Sequence, residues 1–282
     1  MGTSNGAVGW PRRGHRLPRR SGTWEVDVSP NWPQHVWLVR HGESAGNVAR
    51  EAADAGGLSR IAIEGRDVDV PLSERGQVQA TALGHWFADL DADSRPQFVL
   101  SSPYVRARQT ADLISEHGGL KTAHVPIVID ERLREKEFGI LDRLTRAGIE
   151  QIYPEQAEIR RTVGKFYHRP PGGESWCDVI LRLRSTLHTL SLHYPGCRVL
   201  IVTHQVVVLC FRYLLEELDE QRILEIDRAG DVANCSITQY VNERSPTQDH
   251  DRLVLKRYNH IIPLRQEGAP VTRAPDVNRN PR

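Results

Sequence analysis

Four short apolar stretches in this chain do not alternate: HVWLV (35–39), QFVLSS (97–102), VPIVI (125–129) and CRVLIVT (197–203). A strand with one wet face alternates in period two, so continuous Val, Ile and Leu runs belong to strands covered on both faces. Helical spacings lie between them. Val78, Ala82, Leu83, Trp86, Phe87 and Leu90 follow Ser73, and Ala107, Ala111, Leu113 and Ile114 follow the second run. This order predicts an α/β fold, a three-layer α/β/α sandwich with a mostly parallel central sheet. SWCD at 175–178 has capping-box spacing and opens a further helix with Leu181, Leu187 and Leu190 on its apolar face. Another helix runs from about Gln205 to Leu218, SITQYV and RLVLKRY read as a pair of edge strands, and residues 48–69 read as a loop with one short helix.

The 282 residues, 39% hydrophobic, suffice for a substantial core. We divide the chain into a basic Pro/Gly-rich N-terminal extension (1–34), one domain (35–262) and a flexible C-terminal tail (263–282). Lys plus Arg number 37 against 36 for Asp plus Glu, so no global charge excess argues for nucleic acid or an acidic membrane surface. No apolar run approaches the roughly 18 residues of a membrane span, and the first 35 residues lack the apolar segment of a signal peptide. The four cysteines form no CxxC pair and suit buried thiols, so a reducing, cytoplasmic setting is expected. A homodimer is left open.

In open α/β sheets, ligands bind beyond the carboxyl ends of the strands. Arg40 and His41 follow one apolar run, Ser101 to Arg106 another, Glu135 a third and His204 a fourth. Displacement at a phosphate ester needs cations on the nonbridging oxygens, an in-line nucleophile and an acid for the leaving alkoxide. Arg40 and Arg106 can clamp the oxygens, His41 can attack phosphorus, His204 can donate to the transition state, and Glu135 can protonate the leaving oxygen. Each residue alone has a plainer reading as a core histidine or a surface ion pair. Zinc is disfavoured because no HxH or HExxH spacing occurs and the arginines would repel a cation, so neither metal nor other cofactor is expected.

Taken together, the motifs resemble the histidine phosphatase superfamily, also called phosphoglycerate mutase-like. RHG stands at Arg40, His41 and Gly42, and RHGESAGN puts Asn47 where that family uses an asparagine against the phosphate. PLSERGQVQA (71–80), SSPYVRARQTA (101–111), LREKEFG (133–139) and VLIVTHQ (199–205) are similar to its helix-entry, second-arginine, acid and second-histidine segments. The resemblance covers roughly residues 35 to 242. Within it, RTVGKFYHRPPGGES (161–175) is similar to the fructose-2,6-bisphosphatase branch, with Arg161, Lys165 and Arg169 on basic positions; Gln205 fits the same branch. The resemblance implies that Arg161 and Lys165 hold the distal groups of the substrate. Leu209 replaces that branch's arginine, Arg146 and Trp176 stand for its two substrate tyrosines, and no GxxxxGK[ST] loop of its kinase half occurs.

The implied activity is metal-independent hydrolysis of a phosphomonoester on a small phosphorylated metabolite, sugar phosphates included, through a phosphohistidine on His41 with Glu135 as general acid and base. The alternative is a phosphoglycerate mutase, whose paired arginines Arg160 and Arg161 resemble. A non-catalytic phospho-ligand binder would dispense with His41 or Glu135, and both are present.

Overall fold

The structure is a computed structural model that describes residues 31–244 and 251–274. The expected N-terminal extension lies almost wholly outside the described residues. In chain order, β1 (His35–Arg40) leads to α1 (Ala45–Ala55) and α2 (Glu74–Ala88), then to β2 (Phe98–Ser101) and α3 (Val105–His117). After β3 (Ile127–Ile129) come α4 (Arg146–Ile152), α5 (Pro154–Tyr167) and α6 (Trp176–His193). Then follow β4 (Arg198–Thr203), α7 (Gln205–Leu215), α8 (Glu220–Ala229), β5 (Ile237–Arg244), β6 (Asp251–His260) and α9 (Ile262–Gln266). The strands form one sheet in the order β3-β2-β4-β1-β5-β6. β1, β2, β3 and β4 pair in parallel, and β5 and β6 add an antiparallel flank.

The continuous apolar runs feed two cores at once. Val36 and Leu38 of β1 join Val179, Leu183 and Val207 of α6 and α7, whereas Trp37 and Val39 join Leu83, Phe87, Ala107 and Ala111 of α2 and α3. Val199 and Ile201 of β4 divide from Leu200 and Val202 in the same way. Each such side chain contributes roughly 1.5–3 kcal/mol by leaving water. Helix layers on both faces of the sheet are therefore what a non-alternating strand requires.

Several expectations are corrected. β5 is not an edge strand, because it lies between β1 and β6 with Val36 opposite Tyr240. β6 is an edge as expected, and β3 is the other edge, with its Val128 and Ile129 exposed. Leu181 also faces solvent; α6 buries Val179, Leu183, Thr186 and Leu190, a 4-3-4 stripe one residue group away. Residues 45–55 form a full helix, started by a capping box between Ser44 and Asn47. α7 ends at Leu215, short of Leu218. Residues 263–274 begin inside the fold rather than as a loose tail, since Leu264 and Ala269 are buried in the core with α2 and α3. No helix among the described residues is long and apolar enough to cross a membrane.

Candidate active site

β1 stops at Arg40 because the chain must cross the start of α2 at contact distance. A Cβ on Gly42 would lie 2.5 Å from the carbonyl oxygen of Gly76, and one on Gly76 would lie 1.9 Å from that of Glu43. Glycine on both sides lets the two backbones touch. His41 is then fixed by its main chain: its N–H donates to Thr203 O at 2.9 Å, and Asn234 Nδ2 donates to its carbonyl at 3.0 Å. The ring Nδ1 lies 2.7 Å from Gly42 O. A carbonyl only accepts, so Nδ1 carries the proton and Nε2 holds the lone pair. That lone pair accepts from Arg106 Nε at 3.2 Å.

Arg106 thus sits beside the ring, and Arg40 precedes it in the chain. Arg40 is fully buried and donates to Val232 O at 2.6 Å and Ala274 O at 2.5 Å. Arg106, in the first turn of α3, donates to Asp67 through both carboxylate oxygens, at 3.2 and 3.0 Å. Asn47 uses Oδ1 to cap Ser44 N–H at 3.0 Å, which turns Nδ2 toward Ala274 O at 3.2 Å. The capping box thus sets which end of the amide faces the pocket.

His204 follows β4 at the N-cap of α7, and its ring stands 5.1 Å from that of His41 at 64°. Its Nε2 is 2.7 Å from Ser102 Oγ, which also accepts from Tyr104 N–H. Burial and the neighbouring Glu137 and Asp67 push the Tyr104 phenol far above its ordinary range, so it stays protonated and donates to Glu137 at 3.0 Å. Glu135 is buried and accepts from Lys136 N–H at 2.7 Å. Its segment is pinned from α6. Arg182 donates to Glu135 O at 3.3 Å and to Arg132 O at 2.5 Å, while Glu174 ties Arg182 to Glu137 N–H. Sequence reasoning left Ser102, Asp67, Arg182 and Glu174 outside the candidate site. Ser102 and Glu174 fall inside motif segments, whereas Asp67 and Arg182 fall in none. Arg106, Asn47, Glu135 and Asp67 line one cleft together with Arg50 and Arg143.

The distal residues divide differently from the expectation. Arg161 is exposed and paired with Glu158, and Arg169 is exposed and paired with Asp178. Gln205 is buried, with Nε2 donating to Asp231 at 2.8 Å. Lys165 bonds Asp227 at 2.5 Å and lies 5.4 Å from the Trp176 ring centroid. Arg160, not Arg161, lies inward with Lys136 and His168. Burial, reinforced by Arg160, lowers the Lys136 ammonium to about 8, and burial with Arg160 and Lys136 lowers His168 to about 4. Neither His168 ring nitrogen has a hydrogen-bond partner among the described residues. This cationic cluster directly adjoins Glu135 through Lys136.

The chain is similar to known proteins over most of the described residues. The family described as "Histidine phosphatase superfamily (branch 1)" matches residues 36–259. The "Probable phosphoglycerate mutase GpmB" of Yersinia enterocolitica is 30% identical over 213 residues, covering 75% of this chain and 86% of that protein. The "6-phosphofructo-2-kinase/fructose-2,6-bisphosphatase" of Caenorhabditis elegans is 34% identical over 178 residues, 63% of this chain but 33% of that protein. Among solved structures, mycobacterial glucosyl-3-phosphoglycerate phosphatase in complex with VO3 aligns with a TM-score of 0.59 at 25% identity, over 80% of this chain and 99% of that one. With two histidines, two arginines and a buried glutamate gathered at the strand ends of a phosphoglycerate mutase-like sheet, this chain belongs to the histidine phosphatase superfamily.

Proposed function

We propose that the protein hydrolyses a phosphomonoester of a small metabolite that carries a second anionic group. The observation that carries this reading is the His41 tautomer: Nδ1–H is spent on Gly42 O, and the Nε2 lone pair is directed at Arg106, which lines the cleft with Asn47 and Glu135. Arg40, Arg106 and Asn47 hold the nonbridging oxygens, and His204 donates to the charge that builds on them. His41 Nε2 forms a bond to phosphorus as the ester P–O bond breaks, and Glu135 passes its proton to the departing alkoxide. Water then attacks phosphorus, Glu135 takes its proton, and the N–P bond breaks to restore both residues. The fixed cations supply the charge neutralisation that phosphoryl transfer needs. Four free cysteines, two of them buried, support a reducing cytoplasmic setting.

The likeness to GpmB favours a second reading, phosphoryl transfer within a phosphoglycerate. Phosphate release from sugar phosphates, phosphoglycerates and nucleotides, measured with a chelator present, separates the two. Steady release from one substrate class supports the hydrolase. Interconversion of phosphoglycerates without release would replace it with the mutase.

Lys136, Arg160, Lys165 and His168 support a subsite for a carboxylate or second phosphate on the substrate. Arg160→Ala is expected to raise KM for such a substrate about 10–100-fold, the loss of one charged hydrogen bond, and to leave p-nitrophenyl phosphate nearly unchanged. Arg161→Ala should change neither. A larger effect at Arg161 than at Arg160 would return the subsite to the residue the resemblance implies.

The same cluster carries a pH prediction. Lys136 is cationic below about 8 and neutral above it, so KM for the doubly anionic substrate should climb as pH passes that value. A flat profile to pH 9.5 would remove Lys136 from the subsite.

A further inference from the structure

The phosphoryl pocket already holds acceptors belonging to the protein. Ala274 O accepts from Arg40 Nη2 at 2.5 Å and from Asn47 Nδ2 at 3.2 Å, two donors assigned above to phosphoryl oxygens. Arg106 is likewise engaged by Asp67. The segment that delivers Ala274 is tied down by polar contacts. Gln79 Nε2 donates to Pro270 O at 2.9 Å and Thr272 Oγ1 at 2.8 Å. Thr272 Oγ1 donates to Asn234 Oδ1 at 3.0 Å, and Asn234 N–H donates back to Thr272 O at 3.0 Å. Past Ala269, apolar burial does little to hold the segment: Val271 and Arg273 are exposed, and Ala274 is only half-buried. Its contacts run to the catalytic loop and to the residues that brace it.

We infer that residues 268–274 form an autoinhibitory strap, with the Ala274 carbonyl seated in a phosphoryl-oxygen position. This rests on the reading of Arg40 and Asn47 as phosphate ligands. A neutral carbonyl and a phosphate dianion cannot share those donors, and the dianion makes the stronger charge-assisted bonds. Ligand therefore displaces the strap, and its apparent affinity is reduced by the fraction of molecules in which the strap is seated. The core-buried Leu264 and Ala269 tether the segment and keep the carbonyl at high effective concentration when it lifts, so the strap reseats when product leaves.

Binding of inorganic phosphate, measured by calorimetry, tests this on the full chain, on a chain ending at Gly268, and on Thr272→Val. The shortened chain is expected to bind phosphate about tenfold more tightly, close to 1.4 kcal/mol, and Thr272→Val to shift in the same direction by less. In the full chain, saturating phosphate should speed amide hydrogen exchange at Asn234, whose N–H the strap protects. Equal or weaker binding by the variants, or unchanged exchange at Asn234, would overturn the strap while leaving the phosphatase reading intact. Absence of phosphate binding by every chain would overturn both. If the shortened chain does not fold, Thr272→Val and the exchange measurement decide.

Discussion

Replacing His41 with alanine is expected to abolish turnover, by at least roughly 10⁴-fold, because imidazole attack forms the only covalent intermediate on the proposed route. The neighbouring groups cannot substitute. His204 has its Nε2 committed to Ser102 at 2.7 Å, and a guanidinium offers no lone pair to phosphorus. The main-chain bonds from His41 N–H to Thr203 O and from Asn234 to His41 O do not involve the ring, so the loop should keep its path. Thermal unfolding close to the parent, together with loss of acid-labile phosphate on the protein, is the expected pair of results. Residual turnover within a hundredfold of the parent would mean that another group attacks phosphorus, with His204 first to be tested.

How much of this was legible in the sequence depends on where each signal resided. The five central residues could be read because each follows an apolar strand and is a chemically distinctive type. β1 and β4 could be read because both faces are buried, leaving no polar positions to break the run. α1 could not. Its buried positions are Asn47, Arg50 and Ala53, so the helix has no apolar stripe and is recognised by its cap alone. β3 was legible as a strand but not as an edge, since its composition suits a covered strand while its place at the sheet edge leaves Val128 and Ile129 exposed. The choice of Arg161 over Arg160 illustrates a helical limit. Adjacent residues differ by about 100° around the axis, and Gly164, at φ +82°, breaks the helix between this pair and Lys165. Motif alignment therefore fixed the neighbourhood but not the facing residue. The Ala274 contact could not be foreseen because a backbone carbonyl carries no residue-type signal.

Replacing Glu135 with glutamine isolates the proton from the shape. Gln retains an oxygen to accept the Lys136 N–H, and Arg182 still holds the main-chain carbonyl, so the segment should stay in place. What is lost is the proton for the alkoxide in the first step and the base for water in the second. An alkyl phosphate, whose alkoxide is a poor leaving group, should lose about 10²–10⁴-fold in the rate of enzyme phosphorylation. A nitrophenolate leaves without a proton, so p-nitrophenyl phosphate should still phosphorylate His41 at close to the parent rate. Its steady state should nevertheless be slow, because water lacks its base. Rapid mixing should then show one equivalent of nitrophenol released in a burst, followed by slow turnover, with no burst from the alkyl ester. Equal losses in the phosphorylation rate of the two esters would leave Glu135 as a structural or electrostatic group. The proton donor would then be sought among the remaining groups of the cleft, beginning with His204.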